Sequence, residues 1–163
     1  MTNFEPDSLN SVIQQLTNDA SFANNIAYLR ETDGKEGDYL DFLPEIHPLI
    51  RNALISNGIN SLYSHQAEAL TLSARHENFV ISTGTSSGKS LCYQLPILNS
   101  LYSDRDATAL MLFPTKALTN DQLNSFGDLI PSGISGSIGA ALYDGDTPQR
   151  IRAVIREQAS IVL

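Results

Sequence analysis

Lys89 and Ser90 are the residues whose types and setting first suggest chemistry. They close residues 79–90, FVISTGTSSGKS, a loop rich in Gly, Ser and Thr. A lysine ammonium is a compact charge suited to a phosphate, and a neighbouring hydroxyl can ligate a divalent cation. A small-residue loop lets main-chain N–H groups converge on the same anion. Phe79, Val80, Ile81 and Ser82 have strand character, and the apolar run from Leu91 to Leu101 reads as a helix. The order is then strand, phosphate loop, helix. Thr83, Gly84, Thr85, Ser86, Ser87, Gly88, Lys89 and Ser90 become the candidate triphosphate cradle, with Ser90 the candidate Mg²⁺ ligand. The loop departs from the usual pattern in one place: Thr83 holds the first glycine position, and Gly84 comes one step late. A bare Gly-Lys-Ser is ordinary turn chemistry, so the flanking strand and helix carry the assignment.

The elements that must position this loop follow from periodicity. Asp7 can cap a helix with Leu9, Val12, Ile13 and Leu16 on one face. A second helix is expected from Ser21, with Phe22, Ile26 and Leu29 together, until Thr32-Asp33-Gly34 breaks it. Residues 35–45 read as a charged, extended linker bearing Tyr39, Leu40, Phe42 and Leu43. Pro48 suits the first turn of a helix ending at Asn57-Gly58, and Ser64 is a plausible cap for a helix over 65–74. Pro96 falls inside the helix after the loop. The apolar Ile97, Leu98 and Leu101 beyond it favour a bent continuation. Residues 108–113, TALMLF, form a continuous apolar run expected to be a strand covered on both faces. A helix to about Leu129, a loop over 131–136, a strand over 138–143, a helix from Thr147 or Pro148 to about Gln158, and a strand at 161–163 complete the alternation. Such alternation implies a mostly parallel sheet flanked by helices, with ligands at the carboxyl ends of the strands.

The chain has 163 residues and 42% hydrophobic content, room for one domain with a core. Cys92 is the only cysteine, so an internal disulfide and a cysteine zinc site are both excluded. No apolar run reaches membrane-spanning length, and the N-terminus is acidic, so a soluble, cytoplasmic protein without a membrane partner is expected. The net charge of −8 is unevenly placed: residues 1–45 hold nine acids against Arg30 and Lys35. Residues 1–45 are therefore taken as an acidic N-terminal extension and residues 46–163 as the domain, which keeps the acidity apart from the candidate site. His47, His65 and His76 have no ligand or triad spacing and are taken as structural.

Four segments, read together, resemble a known family. They are LYSHQAEA at 62–69, TGTSSGKSLCY at 83–93, FPTKAL at 113–118 with Asp121-Gln122, and YDGDTP at 143–148. In this order they resemble the first half of the first RecA-like domain of DEAD/DEAH-box superfamily 2 helicases. The nearest branch is the mitomycin-repair (YprA-like) helicases, which itself carries Thr at the Thr83 position. The resemblance takes in residues 39–56 as well, roughly three quarters of the chain. It implies an α/β, partial RecA-like P-loop fold with ATP and Mg²⁺ as cofactors. It assigns Gln66 to the adenine edge, the 83–90 loop to the triphosphate, Lys89 and Ser90 to catalysis, and Pro114, Thr115 and Lys116 to the nucleic-acid backbone, with DNA the expected partner. The Tyr143 to Pro148 segment is similar to a family loop near the nucleic-acid path, and its two aspartates argue against direct phosphate contact.

The family hydrolyses ATP with an Asp-Glu pair and with arginines from a second RecA-like domain. No Asp-Glu dipeptide occurs in this sequence. The expectation is an N-terminal portion of an ATP-dependent DNA helicase that binds nucleotide and backbone but does not hydrolyse ATP alone. One alternative is a non-enzymatic split subunit or regulator that pairs its sheet edge with a partner helicase chain. Another is a small P-loop kinase, which needs a lid; Arg150, Arg152 and Arg156 on one predicted helix read more simply as a solvent face.

Overall fold

Apolar residues at helical spacing build the frame that carries the loop. A computed structural model describes residues 6–30, 34, 36–130 and 139–163. The expected break at 32–33, the start of the linker at Lys35, the 131–136 loop and the strand start at Ile138 lie outside the described residues. Contacts divide the chain into residues 1–36 and 37–163. Residues 37–45, taken from the sequence with the extension, group with the second unit.

The first unit holds α1 (Pro6–Asn18) and α2 (Ala20–Ala23). Asp19 caps α2 by accepting the Ser21 N–H at 2.8 Å. The longer helix expected from Ser21 stops after one turn, and Phe22, Ile26 and Leu29 stay exposed. A short helix gains little from propensity alone.

In the second unit, β1 (Tyr39–Leu40) pairs antiparallel with β2 (Leu62–Tyr63), in register Tyr39 to Tyr63. Between them runs α3 (Pro48–Ser56), with Pro48 in its first turn and the His47 ring accepting the Leu49 N–H at 3.3 Å. Gly58, at φ 78°, takes the left-handed conformation that ends the helix. Then come α4 (Ser64–Ala74) and α5 (Leu91–Ser103), which runs through Pro96 as expected. Tyr63, not Ser64, is the cap residue of α4.

Three two-residue strands follow, β3 (Ala109–Leu110), β4 (Ala140–Ala141) and β5 (Ile161–Val162), with α6 (Lys116–Leu129) after β3 and α7 (Gln149–Gln158) after β4. They form a parallel sheet in the order β3-β5-β4, with Ala109 and Ala140 both opposite Ile161. Backbone bonds lengthen the ladder: Met111 N–H donates to Val162 at 2.9 Å and Tyr143 N–H to Leu163 at 2.7 Å. Ile50, Leu54, Leu62, Leu95, Leu98, Phe126 and Ile161 are all at most 1% exposed and form the centre of the core. Each such side chain contributes about 1.5–3 kcal/mol of transfer free energy. Gln94 is also buried, and its amide donates to Ser125 Oγ at 3.0 Å, tying α5 to α6.

Two strand expectations need correction. Residues 79–82 form no strand and make no ladder bonds among the described residues, and Val80 is 95% exposed. Strand character is realised only beside a neighbouring strand, and none pairs with 79–82 among the described residues. The 108–113 run is covered on one face: Met111 is buried, whereas Leu110 and Leu112 are 71% and 84% exposed. Side chains alternate along a strand, so these two share the second face. A cavity of about 340 Å³ lined by Leu110, Ile155 and Val162 opens there. No helix among the described residues is long and apolar enough to cross a membrane.

Candidate functional site

The 83–90 loop is shaped by two left-handed residues, Ser86 at φ 58° and Gly88 at φ 71°. Glycine is needed at 88 for a second reason: a Cβ there would stand 2.5 Å from Gln66 Nε2. The Lys89 ammonium folds into the loop. It donates to the carbonyls of Thr83, at 3.1 Å, and of Gly84, and lies 3.4 Å from Ser87 Oγ. Ser87 Oγ also donates to the Gly84 carbonyl at 3.0 Å and shares a 2.6 Å hydrogen bond with Thr83 Oγ1. Beyond the turn at Thr85-Ser86, no main-chain N–H group from 83 to 90 donates to a protein acceptor among the described residues. The loop therefore offers a cluster of free donors around one cation, the composition of an anion cradle. Ser90 is the cap residue of α5 and makes no side-chain capping bond, so its hydroxyl suits a metal ligand.

Gln66 and His65, at the start of α4, brace this loop. Gln66 is 2% exposed; its Oε1 accepts the Tyr63 N–H at 2.9 Å and its Nε2 donates to the Gly88 carbonyl at 2.9 Å. The His65 Nε2 lies 2.9 Å from the Ser87 carbonyl oxygen. The His65 ring stacks on Tyr63 at 5.4 Å, and Tyr63 stacks on Tyr39 at 4.7 Å, so an aromatic ladder stands beside the loop. Sequence reasoning missed that ladder, because Tyr39 lies far in the chain from Tyr63 and His65. Cys92, on α5, is buried, and burial pushes its thiol above the usual cysteine value.

Pro114 and Thr115 lie in the loop that follows the carboxyl end of β3, and Lys116 is the first residue of α6. Thr115 caps α6 by accepting the Leu118 N–H at 3.3 Å. Lys116 is exposed, and its ammonium is held by Asp146 and by Asp144 at 3.4 Å. The hydrogen bond to Asp146 raises the Lys116 ammonium above the ordinary lysine value. The Asp146 N–H, bonded to Asp144 Oδ1 at 2.9 Å, holds the Asp144 carboxyl below the ordinary aspartate value. All three residues of the 114–116 segment line a cavity of about 210 Å³ together with Phe113, Tyr143 and Asp144.

Arg152 differs from its expected place on a solvent face. Its Nε donates to the Thr147 carbonyl at 2.8 Å and its terminal nitrogen to the Asp144 carbonyl at 2.9 Å, while the guanidinium lies 5.3 Å from the Tyr143 ring centroid. It clamps the 143–148 loop. One turn of α7 separates it from the loop's last residue, which is the only sequence signal that could have found it.

A DEAD/DEAH box helicase family model matches residues 63–163, a span that holds the loop, α5, Lys116 and the acidic loop. The chain belongs to the DEAD/DEAH box helicases. It is 37% identical over 152 residues to the uncharacterized ATP-dependent helicase YprA of Bacillus subtilis, covering 93% of this chain and 20% of that protein. It is 35% identical over 153 residues to the ATP-dependent helicase HRQ1 of Saccharomyces cerevisiae, covering 93% of this chain and 14% of that one. The crystal structure of the DUF1998 helicase MrfA bound to DNA and AMPPNP superposes with a TM-score of 0.76 at 36% identity, over 94% of this chain and 21% of that one. The fold is that of a RecA-like helicase domain, and the chain spans about a fifth or less of the length of these DEAD/DEAH box relatives.

Proposed function

We propose that this DEAD/DEAH box chain is the ATP- and DNA-backbone-binding portion of an ATP-dependent DNA helicase of the cytoplasm. One observation carries the reading: Lys89 is folded among free main-chain donors at the start of α5. A triphosphate entering the 83–90 loop takes those donors and draws Lys89 off the Thr83 and Gly84 carbonyls. Ser90 would hold Mg²⁺, which would neutralise charge on the phosphates. Gln66 spends one lone pair of its carbonyl on Tyr63 and one amide hydrogen on Gly88, which leaves one acceptor and one donor position on the amide for an adenine edge. It thereby links the base to the loop. Pro114, Thr115 and Lys116 take the nucleic-acid backbone, for which a helix start, a hydroxyl and a cation are suited.

Hydrolysis and unwinding require groups to orient water and stabilise the transferring phosphoryl, and these belong to the remaining length of the relatives. The test is ATP turnover by the purified chain. Turnover stays at background and is unchanged by Lys89→Ala; robust turnover abolished by Lys89→Ala contradicts this part of the reading.

A second reading is favoured by Val80, Leu110 and Leu112, apolar residues in or beside the sheet-forming segments that are left largely exposed. On this reading the chain is a split subunit or regulator whose uncovered sheet pairs with a partner helicase chain. Co-purification with a chain carrying an Asp-Glu-Ala-His box supports it. A monodisperse monomer that ignores such a chain counts against it.

A further inference from the structure

Lys116 meets the protein's own anions where the proposed function requires it to meet a phosphate. Its ammonium is shared by Asp146 and Asp144, and the Asp144 carboxylate does not swing freely. Asp144 Oδ1 accepts the Asp146 N–H at 2.9 Å and the Thr147 hydroxyl at 3.2 Å, while the Asp144 N–H donates to Thr147 Oγ1 at 2.9 Å. Arg152 then fixes the carbonyls of Asp144 and Thr147 from α7. The turn is thus preorganised, and Asp144 Oδ2 is the oxygen left over for Lys116. Asp144 and Lys116 line the same cavity at the carboxyl ends of the strands, so an anion reaching the lysine there also meets a carboxylate.

From this we infer that Asp144 and Asp146 are specificity-determining residues that occupy Lys116 in place of a phosphate. The inference rests on the proposed role of 114–116 in backbone binding. An isolated phosphate reaching Lys116 must displace an anion already in place and then sit beside two like charges, each costing roughly fivefold in affinity at contact distance in water. A polynucleotide brings several phosphates, and those at the start of α6 and at Thr115 compensate for the repulsion at Lys116. The acids therefore make the site refuse single phosphates and accept a strand. Arg152 is a positioning residue, acting through the turn.

The experiment is fluorescence anisotropy of a labelled oligothymidylate against the full chain, with inorganic phosphate as competitor. The variants are Asp144→Asn/Asp146→Asn, the same pair with Lys116→Ala, Lys116→Ala alone, and a charge-matched control, Asp104→Asn/Asp106→Asn, at the opposite end of β3. The Asp144/Asp146 pair tightens binding roughly tenfold or more at low salt and steepens the salt dependence by about 0.7 per phosphate gained. It also makes binding sensitive to millimolar phosphate, and all three effects vanish with Lys116→Ala. An equal gain in the control, or a gain that survives Lys116→Ala, overturns the inference by reducing it to net charge. Loss of binding in Lys116→Ala with no change in the Asp144/Asp146 pair overturns the inference alone. Equal binding by wild type and Lys116→Ala with an unchanged pair, or no binding by any variant, overturns the backbone-binding role as well.

Discussion

Lys89 and Lys116 are both held by oxygen atoms of the protein, but of different kinds. Lys89 rests on the neutral carbonyls of Thr83 and Gly84, whereas Lys116 rests on the carboxylates of Asp144 and Asp146. A carbonyl dipole satisfies a lysine without cancelling its charge, so an arriving anion meets a cation surrounded by free N–H donors. A carboxylate pair cancels the charge, so an arriving anion must compete. On the proposed function, one site is open to a phosphate and the other is guarded, although both sit at the starts of helices.

The largest effect is expected at the open site. Lys89→Ala lowers affinity for ATP with Mg²⁺ by roughly 10- to 100-fold, the scale of a charge-assisted contact, and leaves oligonucleotide binding unchanged. Isothermal titration calorimetry reads the first quantity, and equal nucleotide affinity in the two proteins breaks the contrast. Next is Gln66→Ala, which empties a buried site and removes the partner of both the Gly88 carbonyl and the Tyr63 N–H. Urea unfolding shows a loss of about 1–3 kcal/mol, and an unchanged midpoint contradicts the bracing role. Arg152→Ala frees the 143–148 loop and costs less, about 0.5–1.5 kcal/mol, with altered chemical shifts at Asp144 and Thr147 and none at 83–90.

The smallest effect concerns pH at the guarded site. The Asp144 carboxyl lies below its ordinary value of 3.8 in the folded chain, so it binds a proton less readily there than in the unfolded chain. Its contribution to stability is fully present above 3.8 and is lost as pH falls through the lowered folded value. Lys116 lies above 10.5, so its contribution is present below that pH and is lost as pH rises through the raised value. Thermal melting of Asp144→Asn as a function of pH is therefore flatter than wild type at the acidic end. A parallel pair of curves contradicts the assignment.

The helices were more legible from sequence than the strands. Helix α5 continues past Pro96 because Leu98 and Leu101 still have a core to enter, and α3 ends where Asn57-Gly58 can turn. A strand needs a neighbour that local sequence does not supply, which is why residues 79–82 remain unpaired and Leu110 uncovered. Sequence order brought Gln66 and the loop together as a motif but gave no hint that Gln66 would be buried with both ends of its amide engaged. The guarding of Lys116 was half visible: the acids of 143–148 were noticed, but their pairing with a lysine earlier in the chain is set by the parallel register of β3, β5 and β4.

The claim on which most depends is that the amides of the 83–90 loop receive a triphosphate. Amide NMR spectra of the chain titrated with ATP and Mg²⁺ test it most directly. The N–H resonances of residues 84–90 are expected to move more than any others, and Lys89→Ala to abolish the movement. Loop resonances that stay in place at saturating nucleotide, while others shift, would contradict it.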